Sequence, residues 1–419
     1  MINKSKFVEV GAALMMLVAS GASLSSCGST SFDLSYWCPS LDNDVMAEIV
    51  EDFKADNPTY AEKSIGLLAN YGEGETYSAL HKDLGNAADV ILMVDDNIRA
   101  GVKAEELQAL PDADREAAIV SDGSEAVSSL SIDGTMYGYP YRNDNAPMML
   151  YDSSLFTDTT KLSRIEDVLS VCQAAGKKFY LDMGNGWYNP FVLWAGGGSF
   201  TVDTDGNIVT DVAGTKNATC AAAAQAVYDL YGQYKDIWVS SSTTGTIEDG
   251  FAAKNIGVAF MWNDLQIIQG KNASVTVTTW PSIAVSGTDV PLGCFQSYKA
   301  VVVKAELADE KLALAEAFAK YCASEKAQTR RVKELSYGPS NLAVQATDDA
   351  KSLPWVGAIA SMTLAGRTHS QATNTTSNFW TPMSNFGGLI TAQKTWGDYK
   401  TAARALAGLV SNTGWKKAA

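Results

Sequence analysis

The stretch DVILMVDDNIRAG, residues 89–101, decides how the rest of the chain is read. From Val90 to Val94 it is apolar without alternation, the pattern of a strand covered on both faces, and it stops abruptly on Asp95 and Asp96. A strand of that kind belongs in a sheet sandwiched by helices, so an α/β fold is expected. The two acids at its carboxyl end have four readings: catalytic acids, metal ligands, a helix cap, or hydrogen-bond acceptors for a ligand. A helix over 102–110 is expected to follow the loop.

At 419 residues the chain is longer than one hydrophobic core usually organises, and 46% hydrophobic content gives two lobes enough apolar material. The formal charge is −15, with no basic cluster after the N-terminus, so a nucleic-acid backbone is repelled rather than neutralised. Histidine occurs twice, at His81 and His369. Zinc sites and most nucleophile–base pairs need imidazoles, so both are disfavoured.

Lys4 and Lys6 precede an apolar segment over 10–22, which has the length of a signal peptide and is too short to span a bilayer. It runs into LSSC, ending at Cys27, and then GSTS. Small residues before such a cysteine resemble the lipobox of bacterial lipoproteins. The reading is a signal peptide over 1–26, a lipidated tether over 27–31, and a folded part anchored by lipid to the extracellular face of the cell membrane. Ordinary secretion with cleavage near Ala22 or Ser26 is the alternative. The remaining cysteines, Cys38, Cys172, Cys220, Cys294 and Cys322, are odd in number and lack C-x-x-C spacing. They read as small buried hydrophobes.

Downstream, FDLSYW alternates as a strand does, and DNDVMAEIVEDFKADNP reads as an amphipathic helix stopped before Pro58. MYGYPYRNDNAPMMLYDSSLF, residues 136–156, is where the chain is expected to cross between lobes. Ser163 and Glu166 suggest a capping box with a Gly176 stop. The aspartates in SFTVDTDGNIVTDVAG lack calcium-loop spacing, and Asp205-Gly206 between alternating runs predicts a hairpin. CFQSYKAVVV is a further strand, helices are expected over 307–322 and 325–335, and 353–409 is mostly helical. Strands alternating with helices predict largely parallel sheets, with ligands bound beyond strand ends.

GGGS at Gly196 has no following Lys-Ser/Thr, GEGETY at Gly72 lacks the third glycine of a dinucleotide fingerprint, and there is no G-x-S-x-G elbow. No cofactor or metal is expected. Glycoside cleavage needs two carboxyl groups roughly 5 to 9 Å apart. Adjacent Asp95 and Asp96 point to opposite sides, so a distant partner, Asp144 or Asp264, is required. The recurring constellation is an aromatic beside short polar side chains: Trp37 after the first strand, Trp187 near Asn185, Trp262 before Asp264, and Trp380 after Asn378. Sugar rings stack on aromatic planes while their hydroxyls need carboxylate and amide acceptors. Taken singly, each of these aromatics reads equally well as core.

The order of VMAEIVEDFKADNP, ADVILMVDDNIRAGVKAEELQAL, MYGYPYRNDNAPMMLYDSSLF, SRIEDVLSVCQAAG, FAAKNIGVAFMWND and LAEAFAKYCASEKAQTRRVKELSYGPSN resembles the family 1 extracellular solute-binding proteins of ABC importers. The likeness covers nearly the whole mature chain. It implies a two-lobed, periplasmic-binding-protein-like α/β fold, each lobe a sheet flanked by helices, with a hinge between them. The N-terminal lobe would comprise 32–142 plus about 290–342, and the C-terminal lobe 143–289 plus about 343–419. It also implies a monomer without chemistry of its own that closes on a sugar and docks on permease subunits. By that likeness Asp96 is a hydroxyl acceptor, Trp187 a stacking platform, Asn185 stands where a maltose binder has glutamate, and Asp144 lies near a polar contact. Asp95 is expected to hold its loop or join the site.

Two departures point away from a maltodextrin in particular: Met93 and Gly387 stand where stacking tryptophans are found. Trp380, Trp262 or Trp37 would replace them. The competing readings are a surface lipoprotein glycoside hydrolase and a binder of peptides or polyamines. A hydrolase requires a second carboxylate facing Asp96; a binding protein shows aromatic platforms and no acid of raised pKa.

Overall fold

The computed structural model describes residues 32–418 except 70, 242, 263 and 377, so the expected signal peptide, tether and Cys27 lie outside the described residues. Val90–Val94 sits inside the first sheet, parallel to Leu34–Trp37 and antiparallel to Cys294–Val303. Ile65–Leu68 extends the sheet beyond Leu34–Trp37, while Gly138–Asn145 and Thr368–Ser370 pair with Cys294–Val303. Val90, Ile91, Leu92 and Met93 are fully buried, which is why the strand carries no polar alternation.

The second sheet runs in the order Trp238–Val239, Lys178–Tyr180, Ile256–Met261, Met148–Asp152, Val275–Thr278. Its first two pairs are parallel and its last two antiparallel. The sheets are therefore mixed rather than largely parallel. Cys294–Val303 runs against Val90–Val94 and Gly138–Asn145 in the first sheet but parallel to Thr368–Ser370, and Met148–Asp152 runs against both its neighbours in the second.

The buried apolar side chains form two large clusters. One holds residues from Leu34 to Tyr141 and from Tyr298 to Ala327; the other runs from Ala146 to Phe295 and from Trp355 to Trp415. The chain thus passes from one core to the other between Tyr141 and Ala146 and again between Phe295 and Tyr298. A third passage lies beside the first: Asn143 N–H donates to Gly338 O (2.9 Å), and Gly338 N–H donates to the Asp144 carboxylate (2.8 Å). Gln296 Nε2 donates to Asn143 Oδ1, tying two passages together.

Several local expectations shift. The helix after the opening strand is Ile98–Lys103, preceded by a 3₁₀ turn at Asp95–Asn97, and not 102–110. The backbone turns left-handed at Glu105 (φ 59°), and Leu107 folds back over Gly101, where a β-carbon would lie 2.9 Å from its side chain. The capping box does not form. Ser163 Oγ donates to Thr160 O, and Glu166 accepts Ala284 N–H from a neighbouring hairpin. Gly176 does end that segment in a left-handed turn, and Phe200–Val202 pairs with Ile208–Thr210 as a hairpin through Gly206. Cys38, Cys172, Cys220, Cys294 and Cys322 are all buried and unpaired, with desolvation raising each thiol pKa.

Candidate functional site

Between the lobes lies a cleft of about 970 Å³. Of the residues singled out in the sequence, Asp96, Asp144, Asn185, Trp187, Trp262, Asp264 and Trp380 line it. Trp37 and Asp95 do not. Trp37 is 5% exposed and packs edge-on against Tyr71 at 4.7 Å inside the first core. Asp95 is 1% exposed, and one of its oxygens accepts Tyr298 N–H (2.8 Å) from the adjacent strand. The 3₁₀ turn at Asp95–Asn97 separates the two acids, burying Asp95 against the sheet and leaving Asp96 in the cleft.

The aromatic platforms come from the second lobe. Trp187 follows a turn in which Asn185 Oδ1 accepts Trp187 N–H (2.9 Å), and its indole N–H has no partner. That arrangement offers a ring face and a polar handle together. Trp187 and Trp380 both pack against Phe295, at 6.0 and 5.7 Å between centroids. Trp262 stacks on Tyr188 and keeps 42% of its surface exposed.

Gly387 is not a vacated stacking position. A β-carbon there would overlap Met183 O, because the helix Trp380–Ala392 lies directly on the turn that presents Asn185 and Trp187. The aromatic contribution of that helix comes from its first residue, Trp380. Met93 is likewise core and faces no ligand space.

The first-lobe wall is polar, and most of it escaped the sequence reading. Arg142 reaches Asp144 through Nε (2.6 Å) and Nη2 (3.0 Å) and lies over the Tyr337 ring at 3.5 Å. Asp144, also bound by Gly338 N–H, is committed to holding that wall. Glu73 accepts from Arg142 Nη1 (3.3 Å) and pairs with Lys299. Burial drives the Lys299 pKa down to about 8. Lys299 carried one available signal, as the sole charged residue in CFQSYKAVVV. Gln266 of the second lobe donates to Ser336 at the end of the first-lobe helix Glu325–Leu335, bridging the mouth.

Desolvation pushes Asp96 up to about 6, with the Gln371 amide acting against it. Burial, then the charge of Glu248, pushes Asp264 up to about 6, and one Asp264 oxygen has no partner. The cleft thus combines aromatic platforms with two acids of raised pKa, contrary to the expectation that a binding protein shows none, because both carboxyls are desolvated where they line it.

The pattern of the bacterial extracellular solute-binding protein family matches residues 48–358, and the chain belongs to that family. Among solved structures, the maltodextrin-binding protein MalE1 of L. casei superposes with a TM-score of 0.76 at 17% identity, covering 91% of this chain and 98% of that one. The maltose–maltodextrin-binding protein of Alicyclobacillus acidocaldarius gives 0.71 at 16%, covering 91% and 99%. The Thermus thermophilus maltotriose-binding protein, bound with maltotriose, gives 0.69 at 16%, covering 91% and 98%. No curated protein sequence matches. The family is one of binding proteins, and the shared two-lobed architecture places this chain's cleft between its lobes.

Proposed function

We propose that the protein captures a sugar or short oligosaccharide in the interlobe cleft and delivers it to the permease of an ABC importer, held at the outer membrane face by lipid on Cys27. The observation that carries the reading is one cavity shared by Trp187, Trp262 and Trp380 from the second lobe and by Asp96 with a charged wall from the first. Ring faces stack on the indoles, and hydroxyls donate to the carboxylates. Asp96 serves as a hydroxyl acceptor, Trp187 and Trp380 as platforms, and Asn185 offers its amide. The lobes, divided where the chain passes from one core to the other near Asn143, Gln296 and Gly338, rotate about those passages. The match to a family of binding proteins favours binding over hydrolysis.

Thermal melting of the full chain against a panel of mono- and oligosaccharides tests this. A true ligand at about 100 times its dissociation constant adds roughly 2.7 kcal/mol of stability. Asp96→Ala and Trp187→Ala should abolish most of the shift while leaving the unliganded melting temperature within a few degrees. Stabilisation by peptides or polyamines alone, or release of reducing ends from the panel, would overturn the reading.

A further inference from the structure

The GEGETY loop, unexplained by any nucleotide motif, enters the cleft. Glu73 is flanked by Gly72 and Gly74; a β-carbon at Gly74 would meet nothing within 4 Å, and one at Gly72 only Glu75 Oε2 at 3.7 Å. From this open turn the Glu73 side chain, 16% exposed, reaches two cations in the cleft wall, Arg142 and Lys299, whose side chains are 9% and 11% exposed. Among the described residues Glu73 is the only ion-pair partner of Lys299.

The two anions of this cluster are held very differently. Asp144 sits on a strand of the first sheet with a fully buried side chain and accepts three hydrogen bonds, two from Arg142 and one from Gly338. Glu73 meets Arg142 through a single long contact of 3.3 Å. Its carbonyl is fixed by Thr76 Oγ1 (3.1 Å), so rotating the side chain alone withdraws the carboxylate. If Glu73 leaves, Arg142 keeps Asp144 and Lys299 keeps only the charge of Asp42, beyond ion-pair distance, and an incoming anion restores the contact Lys299 loses.

We propose that the ligand is a sugar bearing a carboxylate, of the uronate class, and that its acidic group displaces Glu73 from Lys299 and Arg142. This rests on the sugar-binding reading of the same cleft. Glu73 is a tethered anion that keeps the subsite occupied until ligand arrives and turns to solvent when displaced. Asp96 and Asp264 on the same cavity accept hydroxyls and repel a second acid, so the fitting ligand carries one acidic group, at the end that reaches Lys299. A neutral oligosaccharide leaves Glu73 in place.

Isothermal titration of the full chain with glucuronate- and galacturonate-terminated di- and trisaccharides, each beside its own methyl ester and its neutral hexose counterpart, tests the proposal. The acid should bind at least 10-fold tighter than its ester to the native protein, a comparison that needs no variant. Glu73→Ala should tighten the acid a further several-fold without tightening the ester. Equal or weaker binding of the acid overturns the proposal. So does tight binding of neutral sugars that Glu73→Ala weakens, which would make Glu73 a hydroxyl contact and leave the sugar reading standing. Silence across acids, esters and neutral sugars alike overturns both.

Discussion

Replacing Asp144 with alanine removes the counter-charge on which the first-lobe wall depends. Arg142 loses partners at 2.6 and 3.0 Å, and buried Gly338 N–H loses its acceptor at 2.8 Å. Removing one member of a buried ion pair costs about 3–5 kcal/mol, because the other charge stays desolvated and unpaired. Glu73 and the Tyr337 ring remain beside the guanidinium, placing this contribution near ~3 kcal/mol. The orphaned N–H adds about 1 kcal/mol, the lower end for a buried unsatisfied donor, giving about 4 kcal/mol in all. Guanidinium unfolding followed by tryptophan fluorescence and circular dichroism measures it. The double variant Asp144→Ala with Arg142→Met should recover all but about 1 kcal/mol, since no uncompensated charge is left. A single-variant cost below about 1 kcal/mol, or a double variant in which the losses simply add, refutes the reasoning.

Gly387→Ala should cost about 3 kcal/mol or more through overpacking against Met183 O, which a backbone carbonyl cannot relieve by a rotamer change. It should also weaken sugar binding, because the displaced turn carries Asn185 and Trp187; unchanged melting and affinity would show that the helix has room. The raised Asp96 pKa carries a defined pH signature. With a folded value of about 6 against about 3.9 unfolded, the folded state binds the proton more tightly, so the contribution is fully present below about pH 4 and is lost as pH rises through 6. Its size is up to ~3 kcal/mol. Asp96→Asn should therefore stabilise the protein at pH 7.5 and change it little at pH 4.5; parallel pH–stability curves for both proteins would contradict this. In the same window ligand should bind more weakly as Asp96 protonates and ceases to be a full acceptor.

What the sequence disclosed and what it withheld follow from the range of the forces involved. Val90 to Val94 is legible because covering both faces of a strand removes polar residues from it locally; Asp95 and Asp96 part company through the 3₁₀ turn that follows, not through strand alternation. Trp37, at a strand end, and Trp187, in a turn beside Asn185, read equally well in sequence as core or platform. Only the arrival of Tyr71 makes one of them core, and that contact is tertiary. The charged wall was invisible for the same reason: Glu73, Arg142 and Lys299 are brought together from three separate segments. Gly387 misled because aligning it with a stacking residue says nothing of how closely its helix lies on Met183.

The segments that assemble the wall are also those that pass between lobes. Asp144 holds Arg142 in the cleft and Gly338 in the neighbouring passage through its side chain, while its carbonyl accepts the Trp355 indole N–H (3.2 Å) from the second core. Under the proposed rotation of the lobes, a change in their angle reaches Asp144, and through it the guanidinium against which Glu73 rests. The proposed recognition at the wall and rotation about the passages then share Asp144, so a substitution there is expected to change both.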